Sequence, residues 1–189
     1  MSRILIAYAS SYGQTRKIAN TLAAGLRGRG HEVELADALL ATPPPVEDYD
    51  AVVIGSRVQF GLHARPLLDY IIDNRAELHA IPSYAFVVSN AATGDRTADP
   101  NGYVAKLLAL THWQPRAAVA FAGALHYRSY GVVLRFVMKL ISRFEGLSTD
   151  TRRDHEYTNW ARVQQLAAEI ARDLAPKQAV RPPGPRAQA

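Results

Sequence analysis

The chain of 189 residues contains no cysteine. That absence excludes disulfides, cysteine-ligated metal centres and thiol catalysis. Its six histidines are scattered without a close pair, and no carboxylates gather at metal-ligand spacing, so no metal site is expected. No uninterrupted apolar run approaches the ~18 residues that a membrane-spanning helix needs. The Walker spacing G-x-x-x-x-G-K-[ST] is missing, and the first strand-to-helix loop lacks G-x-G-x-x-G, which removes most support for a nucleoside triphosphate or a dinucleotide. No Ser/His/Asp arrangement or carboxylate pair stands out for hydrolysis, and no catalytic side chain is assigned. The first apolar run begins so close to Met1 that a secretory leader is not expected, which points to the cytoplasm.

The composition that remains is that of a globular protein, 48% hydrophobic and of a length that suits one domain. The formal charge of +5 is unevenly spread: residues 127–153 carry +4, the tail 176–189 carries +3, and the rest is mildly acidic at −2. The tail, "PKQAVRPPGPRAQA", has almost no core-forming side chains and is expected to be disordered. One domain is therefore expected over residues 1–175, interrupted by an insertion at about 127–153.

Short apolar runs recur through that domain as "RILIAY" (3–8), "EVELA" (32–36), "AVVIGS" (51–56), "YAFVVS" (84–89) and "AAVAFAGAL" (117–125). The first, third and fourth lack polar alternation, as strands buried on both faces of a parallel sheet do. Helical periodicity fills the intervals: Ile18, Leu22 and Leu26; Leu67, Leu68, Ile71, Ile72 and Leu78; Tyr103, Leu107, Leu108 and Leu110. Val163, Leu166, Ala167, Ile170 and Leu174 mark a final helix, while the proline-broken second connection reads as no particular element. The pattern predicts an α/β protein with a doubly wound, five-stranded parallel sheet in the flavodoxin-like order 2-1-3-4-5, and an inserted, helix-containing segment after strand 5. Ligands of such sheets bind beyond the carboxyl ends of the strands, here in the loops after residues 8, 55 and 89.

The first of these loops, "SSYGQT", comprises Ser10, Ser11, Tyr12, Gly13, Gln14 and Thr15. It reads either as a capped helix start or as a phosphate cradle, in which hydroxyls and the free N–H groups of a helix N-terminus hold an anion. The second, "GSRVQFG", places Ser56, Arg57, Val58, Gln59, Phe60 and Gly61 over the sheet edge, either as an apolar lip for a flat heteroaromatic ring or as a loop packing under the next helix. The third begins with Ser89, Asn90 and Ala91, small and polar.

The order of these three loops resembles the phosphate loop and the two ring-flanking loops of flavodoxins, and implies FMN as cofactor. "SSYGQT" departs from the family's T/S-x-T-G-x-T pattern at Tyr12. Further along, "VVIGSRVQFG", "AGALHYRSY", "RFVMKLI" and "TDTRRDHEYTNWARVQQLAAEIA" resemble the flavodoxin-like, quinone-dependent protoporphyrinogen oxidases of bacterial haem synthesis, over about residues 3 to 173. The resemblance implies oxidation of protoporphyrinogen IX, with FMN passing electrons to a membrane quinone. "NAATGDRTADPNGY" is shorter and less basic than the family's loop at that place. Two other activities fit the same scaffold: an FMN-dependent NAD(P)H:quinone reductase and a non-enzymatic electron shuttle.

Just after the fifth strand, His126, Tyr127 and Arg128 are candidate contacts to the porphyrinogen propionates, or else simply open the insertion. Within it, Arg135, Lys139 and Arg143 form a stripe opposite Val133, Phe136, Val137, Leu140 and Phe144 on a helix over about 132–145. Such a helix suits an anionic membrane interface, placing the protein peripherally on the inner face of the cell membrane, and it suits packing on the core equally well. Nothing points to nucleic acid. Arg57 beside the flavin loop, in a basic chain, favours electron uptake from an organic donor, because the two-electron-reduced flavin is an anion that nearby cations stabilise.

Overall fold

Five of the apolar runs become five parallel strands in a computed structural model that describes residues 1–89, 100–125 and 155–175. The elements are β1 (Arg3–Tyr8), α1 (Gln14–Arg27), β2 (Glu32–Asp37), a 3₁₀ turn (Val46–Asp48), β3 (Ala51–Gln59), β4 (Leu62–His63), α2 (Arg65–Asp73) and α3 (Arg75–Ala80). They continue with β5 (Ser83–Ser89), α4 (Pro100–Thr111), β6 (Ala117–Ala122), β7 (Ala124–Leu125), β8 (His155–Glu156) and α5 (Trp160–Asp173). The parallel sheet runs β2-β1-β3-β5-β6, which is the expected order once the short β4, paired antiparallel to β3, is set aside.

Alternation along the strands divides the core between two layers. Ile4, Ile6, Ala51, Val53, Tyr84 and Phe86 face Ile18, Leu22 and Leu26 of α1 and Val163, Leu166 and Ile170 of α5. Their neighbours Leu5, Ala7, Val52, Ile54, Ala85 and Val87 face Leu67 and Ile71 of α2, Leu78 of α3, Leu107 of α4 and the fully buried Trp113. Both faces of β1, β3 and β5 are thus covered by helices, and their near-continuous apolar sequence follows from that.

The structure departs from the sequence expectation in four places. β3 does not end at Ser56 but runs three residues further and folds back through β4. The third connection is two helices, broken at Asn74, whose Nδ2 donates to the Tyr70 carbonyl at 2.9 Å. The fifth apolar run is interrupted at Gly123, and its last two residues form an antiparallel pair with His155–Glu156. Ile72 and Leu110, expected on buried helix faces, are 43% and 48% exposed.

Gly55 is required by packing. A Cβ there would lie 2.3 Å from Cζ of the fully buried Phe86. Gly55→Ala is expected to lower the stability by about 1–3 kcal/mol in urea denaturation, the usual range for overpacking. In the double variant with Phe86→Leu the loss should be smaller than the sum of the two single losses, since the ring that clashes is gone.

Candidate functional site

The site is built where β1 and β3 leave the sheet together. Tyr8 pairs with Gly55, and the Ala9 amide donates to the Gly55 carbonyl at 2.9 Å, so the loops that follow start side by side. Arg57 lies opposite Val88, and Ser89 opposite Ala122, which brings the third loop to the same edge.

The first loop enters α1 through Gly13, at φ 91°, a left-handed conformation that glycine adopts without strain. Having no side chain, Gly13 cannot cap the helix; instead Ser10 Oγ accepts from the Arg16 amide at 3.2 Å. The cap position itself thus offers no side chain to the first amides of α1, at the end of a helix whose dipole favours an anion. Ser10, Gln14 and Thr15 are buried, while Ser11 and Tyr12 are exposed. Arg16 is held to one side by Asp37, at 2.9 Å, and this carboxylate raises the guanidinium pKa.

The second loop is a hairpin rather than a loop. Val58 pairs with His63 and Gln59 with Leu62, leaving Phe60 and Gly61 as a two-residue turn with φ 51° and 74°. Positive φ at both positions is the requirement of a type I′ turn, and a phenylalanine there carries strain of about 1–3 kcal/mol. The tip is apolar and in solvent, with Phe60 68% and Leu62 62% exposed. The hairpin is pinned to α4 at both ends: at the turn Lys106 Nζ donates to the Gly61 carbonyl at 2.8 Å, and at the base His63 Nε2 lies 3.0 Å from the Tyr103 carbonyl. A carbonyl only accepts, so Nε2 carries the proton and Nδ1 accepts from the Ser56 hydroxyl, 2.8 Å away. Ser56 has no exposed surface and points into the α2/α4 layer, away from the edge where a ligand would lie.

Arg57 and Gln59 project to the opposite, α1/α5 side by strand alternation. Arg57 Nη1 donates to Gln59 Oε1 at 2.8 Å, and Gln59 Nε2 donates to the Tyr12 hydroxyl at 3.1 Å. This strap joins the hairpin to the first loop and gives Tyr12 a structural partner. A second tie runs from the first loop to the stem around β7 and β8. Gln14 Nε2 donates to Thr158 Oγ1 at 2.7 Å, and Thr158 Oγ1 donates to the Ala122 carbonyl at 2.7 Å.

A flavodoxin-domain family model matches residues 5–152. The protoporphyrinogen IX dehydrogenase [quinone] of Escherichia coli (strain K12) is 34% identical over 171 residues, 89% of this chain and 94% of that protein. The chain belongs to the flavodoxin-like protoporphyrinogen IX dehydrogenase family. The protein of the same name from Leishmania major is 29% identical over 172 residues, covering 89% of this chain and 74% of that one. In fold, oxidised flavodoxin 1 from Bacillus cereus superposes with a TM-score of 0.55 at 16% identity, covering 92% of this chain and 100% of that one. The protein is accordingly an oxidoreductase of the flavodoxin fold with FMN as cofactor.

The described residues fit that group. Two buried polar atoms at the sheet edge, Arg57 Nε and Ser89 Oγ, have no hydrogen-bond partner among the described residues. The donor set at the first loop is neutral hydroxyls and a helix N-terminus, suited to a phosphate. Asn90 and Ala91, the contacts His126, Tyr127 and Arg128, and the helix over about 132–145 lie outside the described residues. Sequence reasoning gave no role at the site to His63, Tyr103, Lys106 or Thr158. For His63 the signal was its place four residues after Gln59, across a two-residue turn.

Burial lowers the His63 pKa. The unfolded chain then binds a proton below about pH 6.5 that the folded chain resists, so stability falls as the pH drops through that range. His31 is shifted in the same direction by burial. Chemical denaturation between about pH 7 and 5 should show a steeper loss in the wild type than in His63→Gln, which keeps the His31 contribution. Thr158→Val removes the hydroxyl shared by Gln14 and the Ala122 carbonyl, and a cost of about 1–3 kcal/mol is expected in thermal or urea melts.

Proposed function

We propose that the protein oxidises protoporphyrinogen IX to protoporphyrin IX on bound FMN and delivers the electrons to a membrane quinone, a step of haem biosynthesis. The observation that carries this reading is the meeting of three elements at one sheet edge in a chain of this family: the Ser10–Thr15 loop, the Arg57–Gly61 hairpin and Ser89. When bound, FMN takes up two electrons at a time from the donor and gives them to the acceptor, so the side chains bind and tune rather than react. Six electrons and six protons leave the porphyrinogen, and three quinones become quinols.

Ser10, Ser11, Tyr12, Gly13, Gln14 and Thr15 would hold the phosphate end, with the α1 N-terminus supplying partial positive charge. Arg57, Gln59, Phe60 and Gly61, with the backbone of Val58, would line one side of the ring, and Ser89, Asn90 and Ala91 the other. Ser56 contributes indirectly, by fixing His63 and with it the hairpin. His126, Tyr127 and Arg128 would meet the propionates, and the basic helix over about 132–145 would bring the site to an anionic membrane surface, where quinones reside. Among the described residues no helix is long and apolar enough to cross a membrane, so the association proposed is peripheral, on the inner face of the cell membrane.

Anaerobic spectroscopy of the FMN-loaded protein tests the reading. Protoporphyrinogen IX should bleach the flavin absorbance, and a quinone should restore it. Bleaching by NAD(P)H but not by the porphyrinogen would identify a quinone reductase instead, and a flavin that responds only to a partner reductase would identify a shuttle.

A further inference from the structure

Arg57 is the arginine at this end of the sheet that combines partial burial with a guanidinium nitrogen lacking a partner among the described residues. Arg16 is paired with Asp37, Arg116 with Asp173 and Arg162 with Glu169. Arg57 is half-buried, yet no carboxylate lies within ion-pair distance of it among the described residues, and its Nε has no hydrogen-bond partner there. Withdrawing a cation from water without a counter-charge is costly, and burial lowers its pKa. An arginine nevertheless remains protonated at any physiological pH. Nor is the group free to swing into solvent without loss, because Gln59 holds Nη1 and Tyr12 holds Gln59. A fixed, uncompensated cation at the mouth of a binding edge is a receptor for an anion.

FMN brings two anionic groups, its phosphate and, once reduced, its ring. The phosphate is served by the α1 N-terminus and the hydroxyls of Ser10 and Ser11. Arg57 stands on β3, in register with Val88 and one position short of the level of Ser89, at the strand ends that lead to the loops assigned to the ring. Uptake of two electrons and one proton converts neutral oxidised flavin into an anion whose charge lies on the ring, and a charge near that ring tunes its electronics.

We propose that Arg57 is the cation that binds the two-electron-reduced, anionic flavin more tightly than the oxidised flavin, with Gln59 and Tyr12 as positioning residues that aim its guanidinium. This rests on FMN occupying the edge described above and deepens that reading, but it does not depend on which donor reduces the flavin. Its consequence is a raised two-electron potential, which suits electron uptake from an organic donor rather than supply of low-potential electrons. It also gives a purpose to Tyr12, the residue that departs from the flavodoxin phosphate pattern: its hydroxyl closes the strap.

The test uses the full-length chain reconstituted with FMN. Binding of oxidised FMN is read by fluorescence titration, and the two-electron midpoint potential by anaerobic spectroelectrochemistry without any donor. For Arg57→Met the affinity for oxidised FMN should change by less than about threefold, while that for reduced FMN weakens about tenfold or more. Each tenfold lowers the midpoint by about 30 mV for a two-electron couple. Arg57→Lys should keep part of the effect, and Tyr12→Phe, which removes the acceptor of Gln59, should lower the midpoint by less than Arg57→Met. An unchanged midpoint in Arg57→Met overturns the proposal. Equal weakening of both oxidation states also overturns it, because that places the guanidinium on the phosphate. Since no porphyrinogen enters the measurement, a protein that binds FMN but is not reduced by protoporphyrinogen overturns the substrate reading alone.

Discussion

The hydrogen bond from the Ala9 amide to the Gly55 carbonyl marks the constraint on which the site depends. It is the last rung between two central strands, and beyond it one chain turns into the phosphate-type loop while the other runs on as the hairpin. Their relative position is set by a parallel ladder buried on both faces, where a slip in register would turn apolar side chains into the wrong layer. Gly55 belongs to the same constraint, since only a residue without a side chain leaves room for the Phe86 ring at that level. The edge where the loops begin is therefore positioned by the packing of the core beneath it.

Above that edge the hairpin works with two faces. Ser56 and Val58 look toward α2 and α4, where His63 and Tyr103 anchor the base; Arg57 and Gln59 look toward α1, where Tyr12 receives them. The same alternation that divides the core thus separates anchoring from binding. The strained, exposed tip at Phe60 is tolerated because it is over-determined by these ties and by Lys106. On the other flank, the Gln14–Thr158–Ala122 chain fastens the first loop to the segments around β7 and β8. Both loops that would meet the cofactor are therefore held from their outer sides.

Much of the fold was legible in the residues. The runs at 3–8, 51–56 and 84–89 are apolar throughout because both faces are covered, and the helix faces of α1 and α5 follow from plain i, i+4 spacing. Where the reading failed, a local pattern had met a tertiary decision. Leu110 and Ile72 continue apolar patterns but fall off the packed face. "FG" is not a usual hairpin turn pair, so nothing local announced that β3 would continue and fold back. Ser56 was grouped with the ligand side on proximity in sequence, whereas alternation along an extended strand turns it into the core.

By itself the sequence determined the order of strands and helices, the sheet edge at which the three loops gather and the neutral, hydroxyl-rich character of the first of them, because these follow from periodicity and residue chemistry over short spans. Tertiary structure decided which of those residues meet. Tyr12 and Gln59 lie 47 positions apart, and Gln14 and Thr158 are separated by 144. Contacts of that kind depend on the strand order and register of the whole sheet, which no short stretch contains. The unpaired state of Arg57 was equally invisible, since it depends on the absence of a carboxylate from every described element packed around it.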